Sequence, residues 1–141
     1  MRKLYIDCCG GLSGDMLVAA LIDLGVKTNK ITEAFDTFTV RSGKELSYKI
    51  SYEDYDGVKA CEFNVICDES EKTLEAATGN AHTRSLEEVH EMLDMFDMSG
   101  YAKTIARRIY NIIAGSEATV YSMNPGDIKL FEDGSLQTIA C

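Results

Sequence analysis

Residues 46–67 read L-S-Y-K-I-S-Y-E-D-Y-D-G-V-K-A-C-E-F-N-V-I-C. Apolar and polar side chains alternate from Leu46 to Tyr52, which is the two-residue period of a β-strand with one buried face. The pair Asp56-Gly57 favours a tight turn, so the chain is expected to return as a second strand over Val58–Cys67. The stretch therefore predicts an antiparallel hairpin, with Cys61 and Cys67 on the same face as Phe63 and Val65 as small buried hydrophobic residues.

Two helices are predicted before this hairpin. The apolar pattern of Asp15–Leu24 follows Ser13, a good N-cap residue, and stops at Gly25. A second helix is expected to begin at Thr28 or Asn29. It places three apolar side chains on one face, namely Ile31, Phe35 and Phe38.

Two more helices are predicted after the hairpin. Ser85 and Glu88 have the spacing of a capping box, and the helix that they open has an apolar face made of Leu86, Val89, Leu93 and Phe96. Ser99 opens the next helix, whose core-facing stripe is expected to consist of Ala102, Ile105, Ile109, Ile112 and Ile113. A short strand at Ile128–Phe131 and a helix from Ser135 onwards follow.

The complete order predicts an α+β fold. An alternating run at Lys3–Cys8 is expected to form a first strand, and residues 68–83 are expected to form a mobile loop. Helices would then cover one face of a small, mainly antiparallel sheet within one domain, residues 1–141. At the end of the chain, Leu136 and Ile139 would be left to be covered by something else.

The composition limits the classes of partner. Among 141 residues the net charge is −9 and the pI is near 4.6, so binding to nucleic acid is not expected, whereas cations are natural small partners. The apolar run at the N-terminus is too short and too interrupted to be a signal peptide or a membrane span. Five cysteines, an odd number without a C-x-x-C pair, suggest free thiols in the cytoplasm.

Chelating and flexible residues are concentrated in D-C-C-G-G-L-S-G-D-M, residues 7–16. Its glycines allow the backbone to approach a ligand, and its N–H groups, with the following helix N-terminus, suit a phosphate. The candidate phosphate-binding residues are Gly10, Gly11, Ser13 and Gly14. Asp7 and Asp15 supply oxygen ligands for a divalent cation, such as manganese or magnesium. The alternative is a tight turn with an ordinary helix cap.

The stretch from Leu4 to Gly25 resembles the N-terminus of the nickel-insertion proteins of the nickel-pincer cofactor pathway (LarC). The matching positions are Asp7, Cys8, Gly11, Ser13, Gly14, Asp15 and Met16. Further similarity in H-x-R-S-L-E-E-V at 82–89 and S-E-A-T-V at 116–120 extends the resemblance over nearly the whole chain. It implies a protein that helps to place nickel in a pyridinium bis-thiocarboxylate mononucleotide, in a reaction that consumes cytidine triphosphate with a divalent cation.

The chain departs from that family at the metal-binding positions. Of the residues that the resemblance suggests as metal ligands, only His82 and Glu132 remain. Tyr121, Lys129 and Phe131 stand where the family has histidines, and since nickel prefers imidazole or thiolate to bare carboxylates, weak nickel binding is expected. The C-terminal nucleotide-binding domain of the family is also missing from this sequence.

Two functional interpretations follow from the resemblance and its departures. In the first, the chain is a binding or accessory module for a divalent metal or a phosphorylated, nucleotide-like cofactor, and not a complete chelatase. In the second, it is an assembly subunit without a ligand of its own. The partners expected are a pyridinium mononucleotide and either the C-terminal half of a split protein, which would bring the nucleotide site, or a second copy.

Overall fold

The predicted hairpin is the central feature of the computed structural model, which describes residues 3–67, 83–131 and 134–141. β1 (Leu46–Tyr55) pairs antiparallel with β2 (Val58–Cys67) along their whole length. Asp56 and Gly57 both have positive φ, 53° and 85°, which is the backbone of the hairpin turn that Asp-Gly favours. The hairpin prediction is therefore confirmed.

Helices and one short strand pair surround the hairpin. In the described residues the helices are α1 (Gly14–Asp23), α2 (Asn29–Ser42), α3 (Leu86–Met95), α4 (Gly100–Tyr121) and α5 (Leu136–Ile139). The short strands β3 (Arg84–Ser85) and β4 (Lys129–Leu130) pair antiparallel, with a 3₁₀ turn at Pro125–Asp127 before β4. α1 and α5 contact β2, α2 contacts β1, and α3 contacts α2, α4 and α5. The α+β prediction is confirmed.

Serine side chains begin the later helices as the sequence predicts. Ser85 and Glu88 form both hydrogen bonds of a capping box. The Ser99 hydroxyl accepts a hydrogen bond from the N–H of Ala102 at 3.1 Å, and the Ser135 hydroxyl accepts one from the N–H of Thr138 at 3.2 Å. These caps satisfy N–H groups that have no partner within a helix, so each helix begins at a defined residue.

The core joins the hairpin to α2, α3 and the C-terminal segment. Phe38 is fully buried and stacks on Phe96, with ring centroids 4.5 Å apart. Leu136 and Ile139 are also buried, at 0% and 7% exposure, because α5 packs against β2 and α3. The expectation that these two residues need another molecule to cover them is therefore wrong.

The predicted first strand at Lys3–Cys8 is absent. These residues have no regular secondary structure and are exposed, and Leu4 is 60% exposed. An alternating pattern becomes a strand only where a sheet edge pairs with it, and in the described residues β1 and β2 pair only with each other. β3, in contrast, is a strand that the sequence pattern did not predict, since two residues are too few to show a period.

The predicted core-facing stripe of α4 is largely on the wrong side. Ile105, Ile109 and Ile112 are 42%, 51% and 60% exposed, and of the predicted set only Ile113 packs against the core. The buried residues of the helix are Tyr110, Ala114 and Ala118. No helix in the described ranges is long and apolar enough to cross a membrane.

Candidate functional site

The glycine-containing loop turns the chain into α1. The N–H of Gly11 donates to the carbonyl of Cys8 at 3.0 Å, and the N–H of Cys9 donates to Oδ1 of Asp7 at 3.0 Å. Gly11 has a φ of 93°, a conformation that strains other residues. The backbone conformation of this loop therefore favours glycine at position 11, whereas Gly10 and Gly14 do not have a positive φ.

Ser13 is the N-cap of α1, yet its side chain does not cap the helix. Its backbone is extended, with φ −124° and ψ 165°, and its side chain makes no capping hydrogen bond. The hydroxyl donates instead to the carboxylate of Asp15. The first turn of α1 thus lacks the side-chain cap that α3, α4 and α5 have, and its N–H groups keep the partial positive charge that attracts anions.

Gly14 lies directly against the last residue of the sequence. A Cβ atom on Gly14 would be 2.7 Å from Cβ of Cys141 and 3.2 Å from its carbonyl carbon. Real Cβ atoms do not approach so closely, so this contact requires glycine. The pairing joins α5 to the N-terminus of α1, and the sequence offers no local signal for it because the two residues are at opposite ends of the chain.

A cavity of about 240 Å³ lies between α1 and β2. From α1 it is lined by Asp15, Met16 and Ala19, and from β2 by Cys61, Glu62, Phe63 and Asn64. Asp7 and the loop glycines do not line it. The Glu62 carboxylate accepts hydrogen bonds from the hydroxyls of Tyr55 at 2.6 Å and Ser51 at 3.4 Å. Of the candidate residues that the structure describes, Asp15 is thus the one placed both at the helix end and in this cavity.

Comparison with known proteins decides the family. The sequence model of the nickel insertion protein family matches residues 4–141.

The chain belongs to the nickel insertion protein family.

Its similarity to individual members extends over the whole length of this chain but not of theirs. It is 26% identical over 98% of its length to the pyridinium-3,5-bisthiocarboxylic acid mononucleotide nickel insertion protein of Alkaliphilus metalliredigens. It is 31% identical over 99% of its length to the protein of the same name from Geobacillus kaustophilus and to a putative nickel insertion protein of Dictyoglomus thermophilum. The chain spans about a third of the length of these relatives. No solved structure matches it.

Two thiols at the loop of this nickel insertion family member have raised pKa values. The Asp7 carboxylate raises the pKa of Cys9, and Cys9, first through its thiol and then through its backbone N–H, lowers the pKa of Asp7. Burial, with a smaller effect of the Asp15 carboxylate, raises the pKa of Cys141 to about 11. Because a thiol must lose its proton to bind a metal, metal binding is less favourable at Cys9 and Cys141 than at an ordinary thiol.

The candidate metal ligands are only partly accounted for by the structure. Asp7 and Asp15 are both exposed, in the loop and in the first turn of α1. His82 and Glu132 lie outside the described residues, as do residues 68–82 of the predicted loop at 68–83. Within the described ranges, no three His, Cys, Asp or Glu side chains come together in a group that could hold a metal ion. Metal binding at Asp7 and Asp15, and phosphate binding at Gly10, Gly11, Ser13 and Gly14, remain predictions.

The contact between Gly14 and Cys141 leads to a stability prediction. Gly14→Ala is expected to lower the free energy of unfolding by about 1–2 kcal/mol, because the new methyl group overlaps Cys141. In a chain that ends at Ala140, the same substitution should be neutral or slightly stabilising, because alanine favours helix. Urea unfolding followed by circular dichroism measures both effects.

Gly100 provides a matched control for this experiment. It is also the first residue of a helix, α4, but a Cβ atom there would have nothing within 4 Å. Gly100→Ala should therefore have the same small effect with and without Cys141. An equal loss from Gly14→Ala in both backgrounds would show that the Cys141 contact does not constrain Gly14.

Proposed function

We propose that this chain binds a pyridinium mononucleotide through its phosphate, together with a divalent cation, as an accessory module in nickel insertion. The phosphate would lie on backbone N–H groups of the Gly10–Gly14 loop other than that of Gly11, which donates to Cys8, and on the first turn of α1. The cation would lie on Asp15, with Asp7 as a second ligand. Family membership supports the substrate class, since relatives are named for nickel insertion into pyridinium-3,5-bisthiocarboxylic acid mononucleotide.

The uncapped first turn of α1 carries this proposal. The Ser13 side chain leaves the helix N–H groups without a cap and orients the Asp15 carboxylate instead. A helix N-terminus of this kind attracts phosphate. A carboxylate in the same turn repels phosphate unless a cation lies between the two, so binding of the mononucleotide should depend on a divalent cation.

Nickel enters this proposal as a substrate and not as a resident metal. A bis-thiocarboxylate offers soft sulfur ligands, which nickel prefers to carboxylate oxygen. The raised pKa of Cys141 makes loss of its proton less favourable, so this thiol would compete less with the mononucleotide for nickel. The role of the chain would be to hold the mononucleotide while nickel is delivered to its sulfur atoms.

The remaining steps would depend on a partner. Because the chain spans about a third of its relatives' length, we place the binding of cytidine triphosphate in a region or polypeptide that corresponds to the other two-thirds. The second candidate function, an assembly subunit without a ligand, is favoured by one observation, namely the exposed isoleucines of α4. In that case the partner would be a second copy of this chain, and the assembly would be a homodimer.

Calorimetric titration with nicotinate mononucleotide, a pyridinium mononucleotide without the sulfur groups, tests the proposed site. We expect binding with magnesium or manganese present and at least tenfold weaker binding with a chelator. Asp15→Asn, which keeps the shape and removes the charge, should weaken the cation-dependent binding about tenfold without changing the melting temperature by more than about 2 °C.

Asp23→Asn is the matched control for this titration. Asp23 is exposed at the opposite end of the same helix, so its substitution removes the same charge without touching the loop. It should leave binding within twofold of the original value. If Asp15→Asn lowers the melting temperature strongly and no mononucleotide binding is measured in any variant, then the loop is only a structural turn.

A further inference from the structure

We propose that two copies of this chain associate through α4, packed antiparallel about a twofold axis that passes between Tyr110 and Asn111. The interacting surface, here called the outer face of α4, consists of Tyr101, Ile105, Ile109, Ile112, Ser116 and Val120. This proposal does not rest on ligand binding at the loop, and its test is independent of that site.

The outer face lies on the side of α4 opposite its buried residues. Counted at 100° per residue, its centre near Ile105 and Ile112 is about 180° from Ala114. Its apolar members are well exposed: Tyr101 at 77%, Ile109 at 51% and Val120 at 77%. A helix that is apolar on both sides is normally buried on both sides. The described part of the chain covers only one of the two apolar sides of α4.

The serine and threonine hydroxyls on and beside the outer face are already satisfied within the helix. The hydroxyl of Ser116 donates to the carbonyl of Ile112 at 2.8 Å, and the hydroxyl of neighbouring Thr119 donates to the carbonyl of Gly115 at 2.9 Å. Burial of these residues would therefore leave no hydroxyl without a hydrogen-bond partner, which is the usual cost of covering serine or threonine.

The spacing of the outer face favours a second copy over an unrelated partner. Its positions are separated by 4, 4, 3, 4 and 4 residues, a pattern that reads the same from both ends. In an antiparallel pair, Ile109 then meets Ile112 of the second copy, and Tyr101 meets Val120 of the second copy. A twofold dimer requires such a self-complementary surface, because each side contributes the same patch.

The charges of α4 permit this arrangement. Lys103 and Arg107 turn towards Asp94 of α3, at 3.8 Å and 2.5 Å, so they leave the outer face free. Arg108 borders the face, and the antiparallel register places it beside Gly115 of the second copy. A Cβ atom on Gly115 would have nothing within 4 Å, which leaves room for the long arginine side chain.

The size of the outer face sets the expected affinity. α4 has 22 residues and is about 33 Å long and about 10 Å wide, so the contact is at the small end of specific interfaces. Each copy also carries a net charge of −9, and the two copies repel each other. We therefore expect a weak dimer, with a dissociation constant of roughly 1–100 μM that falls as added salt screens the repulsion.

Sedimentation equilibrium of the full chain over a range of concentrations tests the interface. Ile112→Glu should weaken dimerisation at least tenfold, because it places an unpaired carboxylate at the centre of the contact. Val40→Glu is the matched control, since Val40 is an 84% exposed apolar residue on another helix, α2, and it should leave dimerisation unchanged. A chain that stays monomeric at 500 μM, or a dimer that Ile112→Glu does not weaken, would overturn the proposal.

Mixing two variants tests the antiparallel register. A chain with Ile109→Glu mixed with a chain with Ile112→Lys should form a heterodimer, because positions 109 and 112 face each other across the axis. Mixing Ile109→Glu with Ile109→Lys should restore association less, because the two position-109 side chains do not meet directly. If this second mixture associates more strongly, the helices pack in parallel and the proposed arrangement is wrong.

Discussion

Phe38→Ala is expected to lower the free energy of unfolding by about 3–5 kcal/mol. Phe38 is fully buried, and its ring stacks on Phe96 with centroids 4.5 Å apart. The Phe35 ring forms T-shaped contacts with the rings of Phe96 and Tyr48, with centroid separations of 6.3 Å and 5.6 Å. The aromatic cluster thus joins α2, β1 and the end of α3, and no smaller side chain at 38 can fill the space between them.

Urea unfolding of three variants measures this contribution. Phe38→Leu keeps most of the apolar volume and should lose clearly less than Phe38→Ala. Val40→Ala, two residues further along the same helix at an 84% exposed position, should change the free energy of unfolding by less than about 0.5 kcal/mol. A loss below about 1.5 kcal/mol for Phe38→Ala would mean that the aromatic cluster is not a main contributor to the stability of the core.

The elements that were predicted correctly are specified by residues close together in the sequence. The hairpin needs only the alternation in β1 and the turn preference of Asp56-Gly57. The start of α3 needs only Ser85 and Glu88, three residues apart. Such signals act within a few residues, so they can be recognised in the sequence before any tertiary contact is known.

The elements that were predicted wrongly depend on contacts between distant segments. Residues 3–8 alternate like a strand, but the structure gives them no edge to pair with. In α4 the sequence pattern predicts that the isoleucines face the core, yet the helix packs through Tyr110, Ala114 and Ala118. A helix with two apolar faces does not reveal through its periodicity which face its neighbours will cover.

The features of the candidate site likewise fall into those that the local sequence predicts and those that depend on contacts between distant segments. The N-cap position of Ser13 follows from residues 7–16 alone, whereas these residues do not distinguish Gly11, which has the positive φ, from Gly10 and Gly14. The wall formed by Glu62 and Asn64, and the contact of Cys141 with Gly14, come from β2 and from the end of the chain. The outward-facing polar residues of β2 were the one available signal, but an alternating strand gives no indication of which helix end will lie beside it.

Leu136→Ala is expected to lower the free energy of unfolding by about 2–5 kcal/mol, although it lies in a helix of only four residues. Leu136 is fully buried, and α5 contacts both β2 and α3. Gln137→Ala, at the exposed neighbouring position, should change stability by less than about 0.5 kcal/mol in the same urea experiment. A loss below about 1 kcal/mol for Leu136→Ala would mean that the C-terminal segment is not part of the cooperative fold.

The same variant connects stability to the proposed site. α5 holds Cys141 against Gly14, so loosening α5 should disturb the first turn of α1 and weaken mononucleotide binding at temperatures where the chain is still folded. Phe38→Ala provides the comparison, because it costs a similar free energy in α2, outside the loop and α1. If Leu136→Ala weakens binding and Phe38→Ala does not, then α5 positions the loop; if both weaken it equally, the effect comes only from lost stability.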